Sequence, residues 1–214
     1  MEDTYRHKGL RKRLMAVLRE KGIHDEAVLA AMERVPRHWF MESAFLQFAY
    51  DDKAFPIGAG QTISQPYTVA FQTSLLELKK GEKVLEVGTG SGYQTCVLLE
   101  MGVKVFSIER QRELYGKTKK LLEVMNYRPR LFYGDGYAGL PAFAPFDKVL
   151  VTAGAPFIPP ALIEQLKPGG CLVIPVGEGG VQVMTVVKKD EGGDIVRETF
   201  GEFRFVPLLE DKSS

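Results

Sequence analysis

The chain has 214 residues, of which 45% are hydrophobic and 26% are charged, and this composition is typical of a globular protein with a large core. Its 28 Lys and Arg residues almost balance its 27 Asp and Glu residues, which leaves a formal net charge of +1. That balance gives no electrostatic reason to expect a nucleic acid or an acidic membrane as partner. The N-terminal residues are charged, and no apolar run is long enough to cross a bilayer, so we expect a cytoplasmic protein.

Residues 1–80 predict helices followed by a loop. Apolar residues recur on one face of a first helix around Leu14, and Asp25 can cap a second helix. A loop with glycine and proline breakers extends over residues 51–65 and leads into a third helix that begins at Pro66. We interpret this part as a helical extension that ends in the polar loop GAGQTISQ.

Residues 81–177 alternate between strand and helix patterns. The strand patterns are short and almost continuously apolar, which is typical of parallel strands covered by helices on both faces. We therefore predict the α/β class, with a doubly wound, mostly parallel Rossmann-like sheet. The strands are expected at 83–88, 104–109, 130–135, 147–153 and 171–177.

Residues 178–214 predict an antiparallel edge on that sheet. Strand patterns occupy 181–189 and 203–208, and the sequence DEGGD between them is rich in turn-forming residues. No internal repeat or low-complexity tract interrupts the chain, so we expect a single domain over residues 1–214.

A glycine-rich turn follows the first strand of the sheet. In EVGTGSGYQT, the glycines Gly88, Gly90 and Gly92 allow a ligand to approach the backbone beside the N-terminus of the next helix. The second strand ends in Glu109, 21 residues after Gly88, where a doubly wound fold places the acid that accepts hydrogen bonds from ribose hydroxyls. The third strand ends in GDG, whose Asp135 is either an adenine contact or a turn residue. Together these features indicate a nucleoside cofactor.

The spacing of the glycines bears on which cofactor binds. A dinucleotide loop usually follows the pattern GxGxxG, whereas this loop is GxGxG with Glu86 shortly before its first glycine. That pattern favours S-adenosylmethionine, which has an amino-acid end and no pyrophosphate. A nicotinamide-dependent oxidoreductase stays as the alternative, although the loop spacing fits it less well.

Six segments between Val28 and Leu208 extend the comparison beyond the glycine turn. They are AMERVPRHWF, AYDDKAFPIGAGQTISQPYTVA, KVLEVGTGSGYQT, GDG, QLKPGGCLVIPVG and FRFVPL. With these segments the sequence resembles the protein-L-isoaspartate O-methyltransferase family, for which ISQP, GDG and FVPL are more specific than the glycine turn. The resemblance implies transfer of a methyl group from S-adenosyl-L-methionine to the α-carboxylate of L-isoaspartyl residues in damaged proteins and peptides, as a step of protein repair.

The resemblance also implies a role for each matching residue. Ser64 of the ISQP segment is expected in the active site, beside the substrate carboxylate and the methyl donor. The backbone of the FVPL segment is expected to bind the substrate peptide at Phe205, Val206 and Pro207. The residues expected to bind the cofactor are Thr62, Ile63, Gln65 and Val69 in the loop, Glu86, Gly88, Thr89, Gly90 and Gly92 at the methionine end, Glu109 and Arg110 at the ribose and adenine, and Asp135 and Gly136 near the adenine.

In this interpretation, residues 1–80 carry the active-site loop, 81–177 bind the cofactor, and 178–214 supply edge strands and the substrate-side segment. The expected partners are isoaspartyl peptides and proteins, and a monomer is expected. One departure from the family pattern follows the fourth strand, where many members have alanine-rich sequence and this chain has TAGAPFIP. Gly154 in that segment is expected to alter the floor of the pocket.

The implied chemistry needs few residues. A carboxylate nucleophile with a pKa of about 3–4 is ionised at neutral pH, so no general base is required, and no metal is expected. A hydroxyl such as that of Ser64 can orient a carboxylate without adding charge. The alternative interpretation of Ser64 is a helix cap just before Pro66.

Three other classes of protein are alternatives to this one. A nucleic-acid amino-methyltransferase would carry an Asn/Asp-Pro-Pro-aromatic segment after the fourth strand, where this chain has VTAGAP. A metal-dependent catechol-type enzyme would have a cluster of carboxylates at the same place. A binding module without turnover is the remaining class, and a methyl-transfer assay separates it from an enzyme.

Overall fold

The computed structural model of the chain describes residues 2–213. The helices are α1 (Tyr5–Glu20), α2 (Glu26–Arg34), α3 (Pro66–Leu75), α4 (Tyr93–Glu100), α5 (Arg112–Val124) and α6 (Pro160–Glu164), and short 3₁₀ turns lie at Arg37–Phe40, Ser43–Phe48 and Pro141–Phe143. The strands are β1 (Phe55–Gly58), β2 (Gln61–Ile63), β3 (Lys83–Val87), β4 (Lys104–Glu109), β5 (Arg130–Tyr133), β6 (Phe146–Val151), β7 (Leu166–Val176), β8 (Gln182–Lys189) and β9 (Ile195–Phe203).

Seven strands form one sheet in the order β5-β4-β3-β6-β7-β8-β9. The pairs from β5 to β7 are parallel, whereas β8 pairs antiparallel with both β7 and β9. At the centre, Val84 of β3 lies opposite Val105 of β4 on one side and Lys148 of β6 on the other. The structure confirms the prediction of a doubly wound, mostly parallel Rossmann-like sheet with an antiparallel C-terminal edge.

The N-terminal helices share a hydrophobic core with helices that cover the sheet. Leu18 of α1 and Leu29 of α2 belong to the same buried cluster as Val97 of α4 and Leu122 of α5. Burying side chains of this size stabilises a fold by about 1.5–3 kcal/mol each before opposing terms are counted. This shared burial supports the proposal that residues 1–80 are part of a single domain.

The loop expected at 51–65 contains a short antiparallel hairpin. Strands β1 and β2 pair with each other, and the turn residues between them, Ala59 and Gly60, have φ angles of +49° and +67°. Positive φ angles of this kind suit the right-handed twist of a two-residue hairpin. The sequence does not predict the hairpin, because strands of four and three residues are too short to show a period. The hairpin leads directly to Ser64.

The strand expected at 203–208 is wrong in position, because the last strand is β9, Ile195–Phe203. Most of β9 is exposed at the edge of the sheet, so its sequence IVRETFGEF lacks the apolar alternation of a half-buried strand. The FVPL segment leaves the sheet after β9 and runs beside Gly154, with an isolated parallel bridge at Pro207. This path brings it to the carboxyl ends of the central strands.

Candidate active site

The carboxyl ends of β3, β4 and β6 meet where the strand order reverses. From β3 the chain continues outward to β4 and β5, and it then returns to β6 on the other side of β3. Open α/β sheets bind ligands at such a switch point. Here it gathers the glycine turn after β3, Glu109 at the end of β4 and Thr152 just after β6.

The glycine turn is held in a fixed conformation. Gly88, Gly90 and Gly92 have φ angles of +96°, +52° and +85°, which only glycine adopts without strain. A Cβ atom on Gly88 would lie 2.5 Å from Oγ1 of Thr152. That Thr152 hydroxyl donates a hydrogen bond to the Gly88 carbonyl at 2.7 Å, and the Thr118 hydroxyl donates one to the Gly90 carbonyl at 2.6 Å. The turn therefore offers bare backbone in a preset shape.

Glu109 joins the end of β4 to this turn. It is only 5% exposed and lies in the wall of a cavity. Its Oε2 accepts a hydrogen bond from the Gly90 amide and its Oε1 accepts one from the Gln111 amide, each at 2.8 Å. Each carboxylate oxygen has a further lone pair, so Glu109 can hold the turn and also accept hydrogen bonds from a ligand.

Ser64 lies between β2 and α3, and the structure does not support the capping alternative for it. Gln65 is the N-cap residue of α3, and no side-chain capping bond is made there. The Tyr67 amide in the first turn donates instead to Oδ1 of Asp52 at 2.7 Å. Among the side chains of residues 2–213, the Ser64 hydroxyl has no hydrogen-bond partner, so it is free to bind a ligand.

Two cavities meet at Ser64. The first lies over the glycine turn and comprises about 750 Å³ of space, part of which is open to solvent. The second lies between α3 and the C-terminal segment and comprises about 1610 Å³, again with space open to solvent. The residues that line both cavities are Thr62, Ser64, Thr152 and Val206. A group bound in one cavity therefore meets a group bound in the other at this junction.

The C-terminal segment is fixed beside the junction by Gly154 and Gln182. The Gly154 amide donates to the Val206 carbonyl at 2.8 Å, and the Leu208 amide donates to the Gly154 carbonyl at 2.7 Å. The Phe205 amide donates to Oε1 of Gln182 at 2.9 Å. A Cβ atom on Gly154 would lie 2.7 Å from Cδ of Gln182. Gly154 lines neither cavity, so it supports this segment and does not form the pocket floor that the sequence led us to expect.

The structure brings most of the predicted site residues to the first cavity. Gln65 and Phe205 line only the second cavity. Gly92 lines neither, because it begins α4 and packs against α5, and Asp135 accepts a hydrogen bond from the Tyr137 amide at 2.9 Å, as a turn residue does. The predicted residues at the first cavity are Thr62, Ile63, Ser64, Val69, Gly88, Thr89, Gly90, Glu109, Arg110, Gly136, Val206 and Pro207.

Glu86 also lies behind the cavity wall, with no exposed surface. Its Oε2 accepts a hydrogen bond from the Thr95 hydroxyl at 2.5 Å, whereas Oε1 has no partner among the described residues. Burial raises the pKa of this carboxyl to about 7, against the hydrogen bond from Thr95, which lowers it. Glu86 is therefore largely protonated below neutral pH. It lies behind the glycine turn and does not line the cavity.

The raised pKa of Glu86 predicts a pH dependence of stability. A carboxyl with a folded pKa near 7 binds a proton more tightly in the folded than in the unfolded chain, so folding is penalised increasingly as pH rises from about 4.5 to 7. The penalty amounts to about 3 kcal/mol in the alkaline limit. We expect Glu86→Gln to gain roughly this much relative to the wild type between pH 5 and pH 8, measured by urea unfolding. If the free energy of unfolding changed equally with pH in the two proteins, this prediction would be wrong.

Several wall residues were missed by the sequence analysis. The first cavity is also lined by Thr152, Ala153, Leu208 and Gln94. Oε1 of Gln94 accepts a hydrogen bond from Nε2 of Gln72 in α3 at 2.9 Å. The signal available for Thr152 is its place just after a central strand, the same rule that finds Glu109. Ala153 and Leu208 are common core types, whereas Gln94 is a buried polar residue, and none of the three stands in a local pattern.

The family comparison covers almost the whole chain. The family model described as protein-L-isoaspartate(D-aspartate) O-methyltransferase matches residues 9–213. The protein-L-isoaspartate O-methyltransferase of Christiangramia forsetii is 62% identical over 214 residues, which is 100% of both chains. The protein of the same name from Flavobacterium johnsoniae is 60% identical, again over 100% of both chains.

Solved structures show the same similarity. A protein-L-isoaspartate O-methyltransferase structure superposes with a TM-score of 0.84 at 29% identity, over 94% of this chain and 66% of the other. A Plasmodium falciparum structure of the same description, in complex with S-adenosyl-L-homocysteine, gives 0.81 at 26% identity, over 96% and 99% of the two chains. Between residues 2 and 213 no helix has the length and apolar character needed to span a membrane. The chain belongs to the protein-L-isoaspartate(D-aspartate) O-methyltransferase family.

Proposed function

We propose that the protein methylates the α-carboxylate of L-isoaspartyl residues in damaged proteins and peptides, with S-adenosyl-L-methionine as the methyl donor. Membership of the family supports the activity. The meeting of two cavities at Ser64 is the observation that carries the assignment of the site. In this proposal the first cavity holds the donor and the second holds the substrate peptide.

The residues of the first cavity suit the donor. Glu109 retains lone pairs for two ribose hydroxyls, and the side-chain-free turn at Gly88 and Gly90 allows close approach of the methionine end. We assign the ribose and adenine end to Glu109, Arg110 and Gly136. Gln65, Glu86, Gly92 and Asp135 do not line this cavity, so we assign them no direct contact with the donor.

The chemistry follows from charge and position. Held in the first cavity, S-adenosylmethionine would supply a methyl group on a positively charged sulfur, and transfer of that group to a carboxylate oxygen would leave the carbon–sulfur electron pair on a neutral sulfur. The carboxylate is already ionised at neutral pH, so the site needs no general base. Ser64 can donate one hydrogen bond to that carboxylate and hold an oxygen in line.

The second cavity offers a surface for the substrate peptide. Tyr67, Phe71 and Phe203 stack along one wall, with ring centroids 5.8 Å apart for Tyr67–Phe71 and 5.1 Å apart for Phe71–Phe203. The segment Phe205–Pro207 borders the same cavity at Phe205 and Val206. We propose that this segment binds the substrate main chain while flanking side chains pack on the rings.

One experiment tests the proposed function directly. A peptide with a single L-isoaspartyl residue and its normal aspartyl counterpart are each incubated with the protein and S-adenosylmethionine carrying a labelled methyl group. We expect a base-labile methyl ester on the isoaspartyl peptide only. Calorimetry with S-adenosylmethionine and with NADH tests the oxidoreductase alternative. Equal labelling of both peptides, or no labelling despite donor binding, would contradict the proposal, and the second result would favour a binding module.

The proposed location is the cytoplasm. Cys96 and Cys171 are both buried and unpaired, as expected for a protein in a reducing compartment. The near-zero net charge supports the proposal that nucleic acid is not a partner. The monomeric state stays a prediction, which analytical ultracentrifugation would test.

A further inference from the structure

Asp52 connects three parts of the chain at the start of α3. Its Oδ1 accepts a hydrogen bond from the Tyr67 amide at 2.7 Å, and its Oδ2 accepts one from Nε2 of Gln65 at 3.0 Å. The same Oδ2 lies 2.5 Å from Nζ of Lys21, the residue that follows α1. These partners enclose the carboxylate, because the Asp52 side chain is only 9% exposed.

These contacts supply a cap that the sequence next to the helix does not provide. Gln65 makes no capping bond, and Pro66 has no amide hydrogen. Tyr67 therefore carries the first amide of α3 that needs a partner, and Asp52 provides it from 15 residues earlier in the chain. A carboxylate at this end of a helix also interacts favourably with the helix dipole.

The position of these bonds matters for Ser64. Gln65 and Tyr67 lie on either side of Pro66, so one carboxylate fixes the chain direction immediately after Ser64. Asp52 is itself held in place, because the fully buried Arg37 donates from Nη2 to the carbonyl of the next residue, Lys53, at 3.2 Å. Asp52, with Arg37 and Lys53 behind it, therefore forms an anchor that connects the buried core to the turn that carries the free Ser64 hydroxyl.

We propose that Asp52 is a positioning residue for methyl transfer, because its carboxylate fixes the turn that presents the Ser64 hydroxyl at the junction of the two cavities. The inference rests on the proposed function and assigns a role to a residue that lines neither cavity. A residue with this role affects turnover. A residue that only stabilised the fold would change the melting temperature and leave kcat unchanged in the folded enzyme.

The test compares Asp52→Ala with Asp52→Asn in the full chain. We expect Asp52→Ala to lower kcat for an isoaspartyl peptide about tenfold, because small misplacements at a reacting centre are costly. Calorimetry should show the affinity for S-adenosylmethionine changed by less than about threefold, because Asp52 lies outside that cavity. The Tyr67 amide should exchange with deuterium at least about tenfold faster once its acceptor is gone. Asp52→Asn keeps an acceptor oxygen and should recover most of the turnover.

Two matched controls separate this role from general effects. Asp51→Ala removes an exposed carboxylate next to the anchor. Lys21→Met removes the ion pair, whose lysine side chain is 45% exposed, together with the contact of the Lys21 ammonium with the Tyr67 ring at 6.0 Å. Both should turn over like the wild type. Wild-type kcat in folded Asp52→Ala, or an equal loss in Asp51→Ala, would overturn the inference alone. If Asp52→Ala does not fold, Asp52→Ser is measured against the same outcomes. An inactive wild type would overturn the proposed function together with this inference.

Discussion

Ser64→Ala should lower kcat/KM for an isoaspartyl peptide by about a hundredfold while the protein stays folded. The hydroxyl lies at the junction of both cavities and has no partner among the described side chains, so its removal costs the substrate carboxylate a hydrogen bond and its alignment. The melting temperature should hardly change, because α3 draws its cap from Asp52. Donor affinity should largely survive, because the proposed contact is with the substrate.

Ser74→Ala is the matched control for that change. Ser74 belongs to the same helix, and its hydroxyl donates to the Ala70 carbonyl at 2.9 Å, away from both cavities. It should leave kcat/KM as in the wild type. Steady-state methylation assays and thermal unfolding of the two variants decide the matter. Turnover like that of the wild type in folded Ser64→Ala would remove Ser64 from the reaction.

Glu109→Gln should weaken S-adenosylmethionine binding by about one to two orders of magnitude. The change keeps the shape of the side chain but removes charge-assisted hydrogen bonds, each worth about 1.5–3 kcal/mol. In the wild type the Glu109 carboxylate accepts hydrogen bonds from the backbone amides of Gly90 and Gln111. The substitution also places a side-chain NH₂ group, which cannot accept, opposite one of these two amides. The glycine turn should therefore loosen in the same variant. Calorimetry measures the affinity, and amide exchange at Gly90 measures the turn.

Glu113→Gln is the matched control, because Glu113 is an exposed acid in the first turn of α5. Its affinity for S-adenosylmethionine should equal that of the wild type. A Glu109→Gln protein with a loosened turn but unchanged affinity would show that Glu109 serves only the fold. Unchanged affinity together with an unchanged turn would remove it from the site altogether.

Local patterns were enough to predict the centre of the sheet. Strand β4 spans the predicted residues, Lys104–Glu109, because buried parallel strands are rich in apolar residues, here Val105, Phe106 and Ile108. The hairpin β1–β2 and the edge strand β9 were beyond the same method, since one is too short and the other too exposed to carry a period. Burial creates the pattern, so elements that bury little surface leave none.

The site shows a similar division. Gly88 and Glu109 could be found from their spacing after two strands, and Ser64 came from the resemblance of its segment to a family. Asp52 lies in the same segment as Ser64, but no local spacing marked its role or that of Gln182, because each acts through hydrogen bonds to residues 13 or more positions away. Aspartate and glutamine are common on any protein surface, and only the folded structure shows which of these side chains are enclosed.

Gly154 and Gln182 fix the C-terminal segment through hydrogen bonds. This arrangement affects how many different substrate sequences the enzyme can bind. Gly154 occupies the backbone groups of Val206 and Leu208 that face it, and extended backbone groups alternate in direction. The groups left over can therefore pair with the main chain of a visiting peptide. Main-chain pairing does not depend on neighbouring side chains, whereas spontaneous isoaspartyl damage arises in many unrelated sequences. A backbone edge held in place in this way therefore suits an enzyme that recognises the isoaspartyl residue itself and not the sequence around it.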